Sequence, residues 1–222
     1  MTTDNIVFRV ATWLIPLVIA IVLHEVSHGW VANAFGDPTA RRMRRLSLNP
    51  IRHVDPIGTV ALPLVLAVSG APLFGWAKPV PVVAHRLRNP RVHMMLVALA
   101  GPGMNLLLAL IGALAWAGLR WMSLPEGLGW DFLLYNVFNF VVINVSLAIF
   151  NMLPMPPFDG GHAVQGLLPR SLAPGYARLG RYGLLVLVLL LVVLPMANIH
   201  IVSAIIGPPI RFVVRLLGLP IG

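Results

Sequence analysis

Long apolar runs, rather than short alternations of apolar and polar positions, dominate this chain. Residues 6 to 35 (IVFRVATWLIPLVIAIVLHEVSHGWVANAF) predict a first helix, ended by the turn-forming Gly36, Asp37 and Pro38. Residues 92 to 119 and 132 to 153 predict two more helices, and two further apolar runs, about 183 to 197 and 199 to 217, are divided near Pro195 and Asn198. A hydrocarbon core of about 30 Å takes about 20 helical residues to cross, which these runs match. Residues 57 to 72 are also apolar, but they are too few for a span and contain Pro63, which suits a re-entrant or interfacial segment. FGWAKPVPVV (74 to 83) carries Pro79 and Pro81, so it fits an edge strand or an extended loop but not a central strand. The fold expected is an all-α polytopic membrane protein. It has about five full transmembrane helices plus a re-entrant or short β-like segment between the first and second spans.

Composition agrees: 58% of the 222 residues are hydrophobic and 10% are charged, where a soluble domain carries about a quarter charged. A soluble globular protein is excluded. With no cysteine, any metal must be held by His, Asp, Glu or backbone oxygen. The formal charge of +9 points to cytoplasmic loops rather than to nucleic-acid binding. The first apolar run lacks a basic leader and a small-residue cleavage site, so it is expected to stay in the mature protein. No repeat, linker or stretch polar enough for an appended soluble domain interrupts the chain. A single domain over 1–222 is expected, with a catalytic core at about 6–165 and a C-terminal helical pair at about 177–222.

Of seven acidic residues, Asp4, Asp37, Asp55, Glu126 and Asp131 fall in predicted loops or termini, which leaves Glu25 and Asp159 in or against apolar segments. A carboxylate at bilayer depth costs about 3 kcal/mol on insertion scales and marks a functional site by default. Glu25 belongs to His24-Glu25-Val26-Ser27-His28, an H-E-x-x-H pattern with a chance occurrence of roughly two in a thousand in a chain of this composition. One helical turn separates the histidines, so both imidazoles can reach a single ion. Glu25 is offset by about 100°, where it can accept a proton from the attacking water. Two histidines leave a catalytic zinc one protein ligand short. Asp159, in Asn151-Met-Leu-Pro-Met-Pro-Pro-Phe-Asp159-Gly160-Gly161, is the other acid at membrane depth. Two neutral imidazoles, two carboxylates and Zn²⁺ sum to zero charge, which explains how the acids are tolerated in lipid.

HEVSHGW, GPGMN (101 to 105), NMLPMPPFDGG, SLNPIRHVDPIGT (47 to 59) and FGWAKPVPV together resemble the site-2 protease family of intramembrane zinc metalloproteases, over about residues 20 to 165. The resemblance implies that His24, His28 and Asp159 bind one zinc per chain, that Glu25 is the general base, and that Asn151 lines the substrate cleft. It implies an endopeptidase acting on transmembrane-helix substrates, either in regulated intramembrane proteolysis or in clearing remnant signal peptides. Many members carry a PDZ or CBS domain. The chain leaves no room for either and so resembles the compact bacterial and archaeal branch.

Placing the two motifs at one depth requires the first and the 132–153 helices to run in the same direction. Fourteen of the sixteen Lys and Arg then share one side, with only Arg9 and Arg120 on the other. The positive-inside rule sets that side in the cytoplasm, the N-terminus outside, and the site toward the cytoplasmic face of a prokaryotic plasma membrane. Asn105 and Asn144 suit inter-helix hydrogen bonds. Asn151 suits either an oxyanion contact or a cap on its broken helix. His162 is an alternative ligand close to Asp159. His53, His85, His93 and His200 fit solvated interfacial positions, and Arg41 to Arg45 fit topological anchoring. The 74–83 stretch suits strand addition to an unwound substrate or a loop tucked against the helices. Rival readings are a divalent-metal transporter, against which the apolar outer half of the first helix counts, and a non-catalytic metal-binding scaffold.

Overall fold

The structure is a computed structural model describing residues 6–69, 75–122 and 127–220. Asp4, Glu126, Phe74 and the end of the 57–72 segment lie outside the described residues. Helix α1 spans Ile6–Ala34 and is followed by two short helical turns, Thr39–Arg42 and Pro50–His53. A wide turn at Pro56–Ala61 leads into the short α2, Leu62–Ser69. Next come α3 (Pro90–Trp121), α4 (Leu128–Asn151) and α5 (Asp159–Leu167). A helical run over Ala173–Met196, α6, and the final α7, Ile201–Leu216, complete the chain.

Four of these helices are long and apolar enough to cross a bilayer: α1, α3, most of α4 from Gly129, and α6. The fifth expected span, 199 to 217, is the 16-residue α7, which holds Pro208 and Pro209 and at about 1.5 Å per residue is shorter than the hydrocarbon core. Its inner face is nonetheless committed. Val214, with Leu219 just past the helix end, is buried with Ala109 and Ala113 of α3 and Val141 and Val145 of α4. Helices α1, α3 and α4 all contact one another, α5 lies on α3, and α7 lies on α4. Small residues set the α3–α4 spacing: a methyl on Gly112 would lie 2.8 Å from Val141 and 2.9 Å from Phe140. Close approach of this kind is what packs helices in lipid, where apolar burial gives no drive between them.

Among the described residues there is no strand. The stretch expected to be β-like, 75 to 83, is extended, yet its backbone groups are met one by one rather than by a ladder. Trp76 N–H donates to Gly58 O (3.1 Å) and Lys78 N–H to His53 O (2.8 Å). Thr59 Oγ1 donates to Trp76 O (2.8 Å), and Arg45 donates to the Lys78 and Pro79 carbonyls (2.8 and 3.3 Å) and to Arg52 O. Prolines at 79 and 81 remove donors that a ladder would need. Gly58 admits the Trp76 ring, which a side chain there would overlap. The result is a strap lying along the C-terminal half of α1.

Three residues expected in loops or at interfaces are instead bonded to this strap and buried. Arg45 is buried rather than an interfacial anchor, and His53 is buried, with its Nε2 2.7 Å from the Ser47 carbonyl. Asp37, expected in an ordinary turn, is fully buried and accepts from Val83 N–H (2.6 Å), Thr39 N–H (3.0 Å) and Thr39 Oγ1. Burial pushes the Asp37 carboxyl up, but those hydrogen bonds, with Arg86 nearby, outweigh it and hold the group below its ordinary value. A lowered folded-state pKa gives stabilisation that is complete above the unfolded value and is lost as pH falls through the folded one. Amide-exchange protection around Val83, corrected for the intrinsic rate, is therefore expected to hold above about pH 4 and to fall below it. In Asp37→Asn it is expected to be low throughout.

Candidate metal centre

The H-E-x-x-H turn lies in the last third of α1, where a one-turn spacing sends both imidazoles toward α3 and α5. His24 Nε2 and His28 Nε2 are 3.1 Å apart, and each lies close to Asp159 Oδ2, at 3.2 and 3.4 Å. One ligand atom from each of the three side chains falls within 4.8 Å of the others. The side chains are 8%, 12% and 17% exposed, so the cluster is withdrawn from solvent.

Each imidazole is fixed by its other nitrogen. His24 Nδ1 lies 2.6 Å from Asn105 Oδ1, and His28 Nδ1 lies 2.7 Å from the Val97 carbonyl. Asn105 spends its own amide donors on Asn144 Oδ1 (2.8 Å) and Ala20 O (3.3 Å), so its oxygen faces His24. Asn144 in turn donates to Phe140 O (2.8 Å). Both partners of Nδ1 can only accept, which places the proton on Nδ1 and leaves the Nε2 lone pairs aimed into the cluster. That is the tautomer a metal-binding histidine uses. Asp159 Oδ2 is buried and receives no hydrogen bond of good geometry. An orphaned buried carboxylate oxygen facing two imidazole lone pairs is unfavourable without a cation. This donor set of two nitrogens and one oxygen, with no thiolate, fits a zinc site that keeps a position open.

Glycines permit the closeness. A methyl on Gly101 of α3 would overlap His28 Nε2 and come within 2.6 Å of His24 Cε1. Gly101 and Asn105, one turn apart in GPGMN, thus present to the histidines a gap and then an acceptor. At the other wall, side chains on Gly160 or Gly161 would strike the backbone of residues 152 to 156, so these glycines let α5 begin against the proline-rich turn and bring Asp159 inward.

Glu25 is not part of the three-residue cluster; its Oε2 accepts from Val80 N–H of the strap at 2.9 Å. Gly29, one turn on, allows this approach, since a methyl there would lie 2.8 Å from Val80. Sequence reasoning gave no sign of the Val80 contact, which joins residues 55 apart in the chain. Asn151, the last residue of α4, donates its amide to Leu147 O (3.0 Å), one turn back. His162 stands outside the cluster of His24, His28 and Asp159.

Residues 129–194 match the family model described as peptidase family M50. The chain is 36% identical over 180 residues to YwhC of Bacillus subtilis, named as a candidate zinc metalloprotease, covering 81% of this chain and 79% of that protein. The chain belongs to peptidase family M50, the site-2 proteases. It is also 29% identical to the Rip2 proteins of Mycolicibacterium smegmatis and Mycobacterium tuberculosis, which bear the same kind of name. Those alignments cover 82% and 76% of this chain and 66% and 61% of the relatives, so the chain spans under two thirds of Rip2. No solved structure matches significantly. As an M50 peptidase with apolar helices of spanning length, the protein is a membrane protein.

Asn105 is a positioning residue in this arrangement. Asn105→Leu is expected to weaken zinc binding by about 10- to 100-fold, read by competition with a chelator, because His24 loses the partner that fixes its tautomer.

Proposed function

We propose that this M50 peptidase is a zinc-dependent intramembrane endopeptidase, with one zinc held by His24, His28 and Asp159 and with Glu25 as general base. The observation that carries this reading is the convergence of two imidazole nitrogens and an orphaned carboxylate oxygen beside an H-E-x-x-H turn. Zinc, when bound, polarises the scissile carbonyl and brings the pKa of water toward 7. The protein's own groups do the rest. Asn105 and Val97 O hold both imidazoles in the binding tautomer. Val80 N–H anchors one oxygen of Glu25, leaving the other to take the proton of the attacking water and pass it to the leaving amine. Asn151 gives one amide hydrogen to Leu147 O, and its second amide hydrogen and its Oδ1 can meet substrate.

The substrate is a transmembrane segment of another membrane protein, and its helix must unwind before the scissile amide is exposed. Helix-breaking residues near the cleaved bond ease that step. The distribution of Lys and Arg supports an N-terminus outside and a site near the cytoplasmic face of a prokaryotic plasma membrane; a cytoplasmic C-terminus requires α7 to be a fifth crossing, since four crossings return the chain to the outside. The bacterial relatives fit this setting.

The test is cleavage of a transmembrane peptide by the detergent-purified chain before and after removal of metal with phenanthroline. Loss of cleavage on chelation and its return with added zinc is expected. Cleavage indifferent to chelation, or zinc flux through proteoliposomes without cleavage, contradicts the reading.

A further inference from the structure

A cavity of about 350 Å³ lies where two membrane helices begin. Arg91, in the first turn of α3, and Pro174, in the first turn of α6, form its walls, and His162 and Gln165 of α5 face it with Arg170 from the following turn. No Asp or Glu lines it. Arg91 is held in place, with Nε donating to Gly166 O at 2.9 Å and one terminal nitrogen to Leu168 O. These bonds use two of its five N–H groups, and the rest stay available. Arg170 is exposed, and no carboxylate pairs with it or with Arg91 among the described residues.

Two guanidinium groups, an imidazole and an amide around one concavity make a donor set for a phosphate. The rim decides the source of that phosphate. Pro90, Met94, Ala173 and Pro174 are apolar residues at the starts of two spanning helices, the level at which lipid headgroups meet acyl chains. We propose that this pocket binds the headgroup phosphate of an anionic membrane lipid. The bound phosphate ties the start of α3 to α5 and to the start of α6, so binding is read out as stabilisation. The site is separate from the metal cluster, although α5 supplies both: Asp159 opens the helix, and His162 and Gln165 lie one and two turns on.

The experiment follows thermal unfolding of the purified protein in mixed micelles as the fraction of phosphatidylglycerol rises. Parallel titrations use phosphatidylcholine and inorganic phosphate. Phosphatidylglycerol alone is expected to stabilise, with saturation. Arg170→Gln, and separately Arg170→Gln with His162→Gln, are expected to raise the lipid fraction at half-saturation by about fivefold or more. A charge-matched control, Arg41→Gln at an exposed position, is expected to change it by less than about twofold. An unchanged titration in the Arg170 variants, an equal loss in the control, or equal stabilisation by phosphatidylcholine overturns the site. Equal stabilisation by inorganic phosphate overturns the lipid as its occupant. Zinc content and gel-filtration profile confirm that each variant is folded before it is titrated.

Discussion

Replacing Glu25 by Gln is expected to lower cleavage of a transmembrane substrate by about a hundredfold to ten-thousandfold, the range lost with a general base, while zinc content stays unchanged. The two halves of that result have separate causes. Glutamine keeps the shape of the side chain and an oxygen that can still accept from Val80 N–H, so the strap stays docked on α1. It cannot take a proton from water. Glu25 lies outside the cluster of His24, His28 and Asp159, so the metal is not disturbed. Glu25→Ala separates the roles further, because it also frees Val80 and is expected to raise amide exchange along residues 75 to 83. Parallel zinc analysis and single-turnover cleavage on the same preparations check both statements.

The second large effect is expected at Gly101. An alanine methyl there overlaps His28 Nε2 and approaches His24 Cε1 to 2.6 Å. Neither ring can yield freely, because Asn105 Oδ1 and Val97 O fix the far nitrogens. Gly101→Ala is therefore expected to turn the imidazoles out of register and to lower zinc affinity by about 100-fold, with cleavage falling alongside. The helix itself should not suffer, since alanine is favoured over glycine within a helix by about 1 kcal/mol. Gly103→Ala is the internal control: nothing lies within 4 Å of a methyl at that position. It is expected to keep zinc and activity. Circular dichroism and zinc titration of the pair distinguish a blocked site from a damaged fold.

Much of the candidate metal centre was legible because it obeys helical periodicity. His24 and His28 one turn apart on an apolar helix announce a shared ligand direction, and Asp159 followed from the cost of leaving a carboxylate at membrane depth. The break between the last two apolar runs also lay in the residues themselves: α6 ends at Met196, and Asn198 takes a left-handed conformation (φ 59°). What the sequence hid is long-range and made by the backbone. Val80 N–H meeting Glu25, and Val83 N–H meeting Asp37, involve atoms that every non-proline residue carries, so no side-chain pattern marks them. Asp37 read as a turn former because its surroundings do look like a turn; only the returning strap buries it. Gly101 entered the sequence reading only as part of GPGMN, and its role depends on which helix it faces. In α7, apolar content suggested a span, while length and two internal prolines set it below the other four helices.

One zinc held by His24, His28 and Asp159 is what the proposed mechanism rests on. It is tested most directly by elemental analysis of the detergent-purified protein beside its Asp159→Ala variant, both dialysed against the same weak chelator. One zinc per chain in the parent, and a large loss in the variant, is the expected result. A parent free of zinc after purification in zinc-containing buffer, or a variant that keeps its full complement, contradicts the claim.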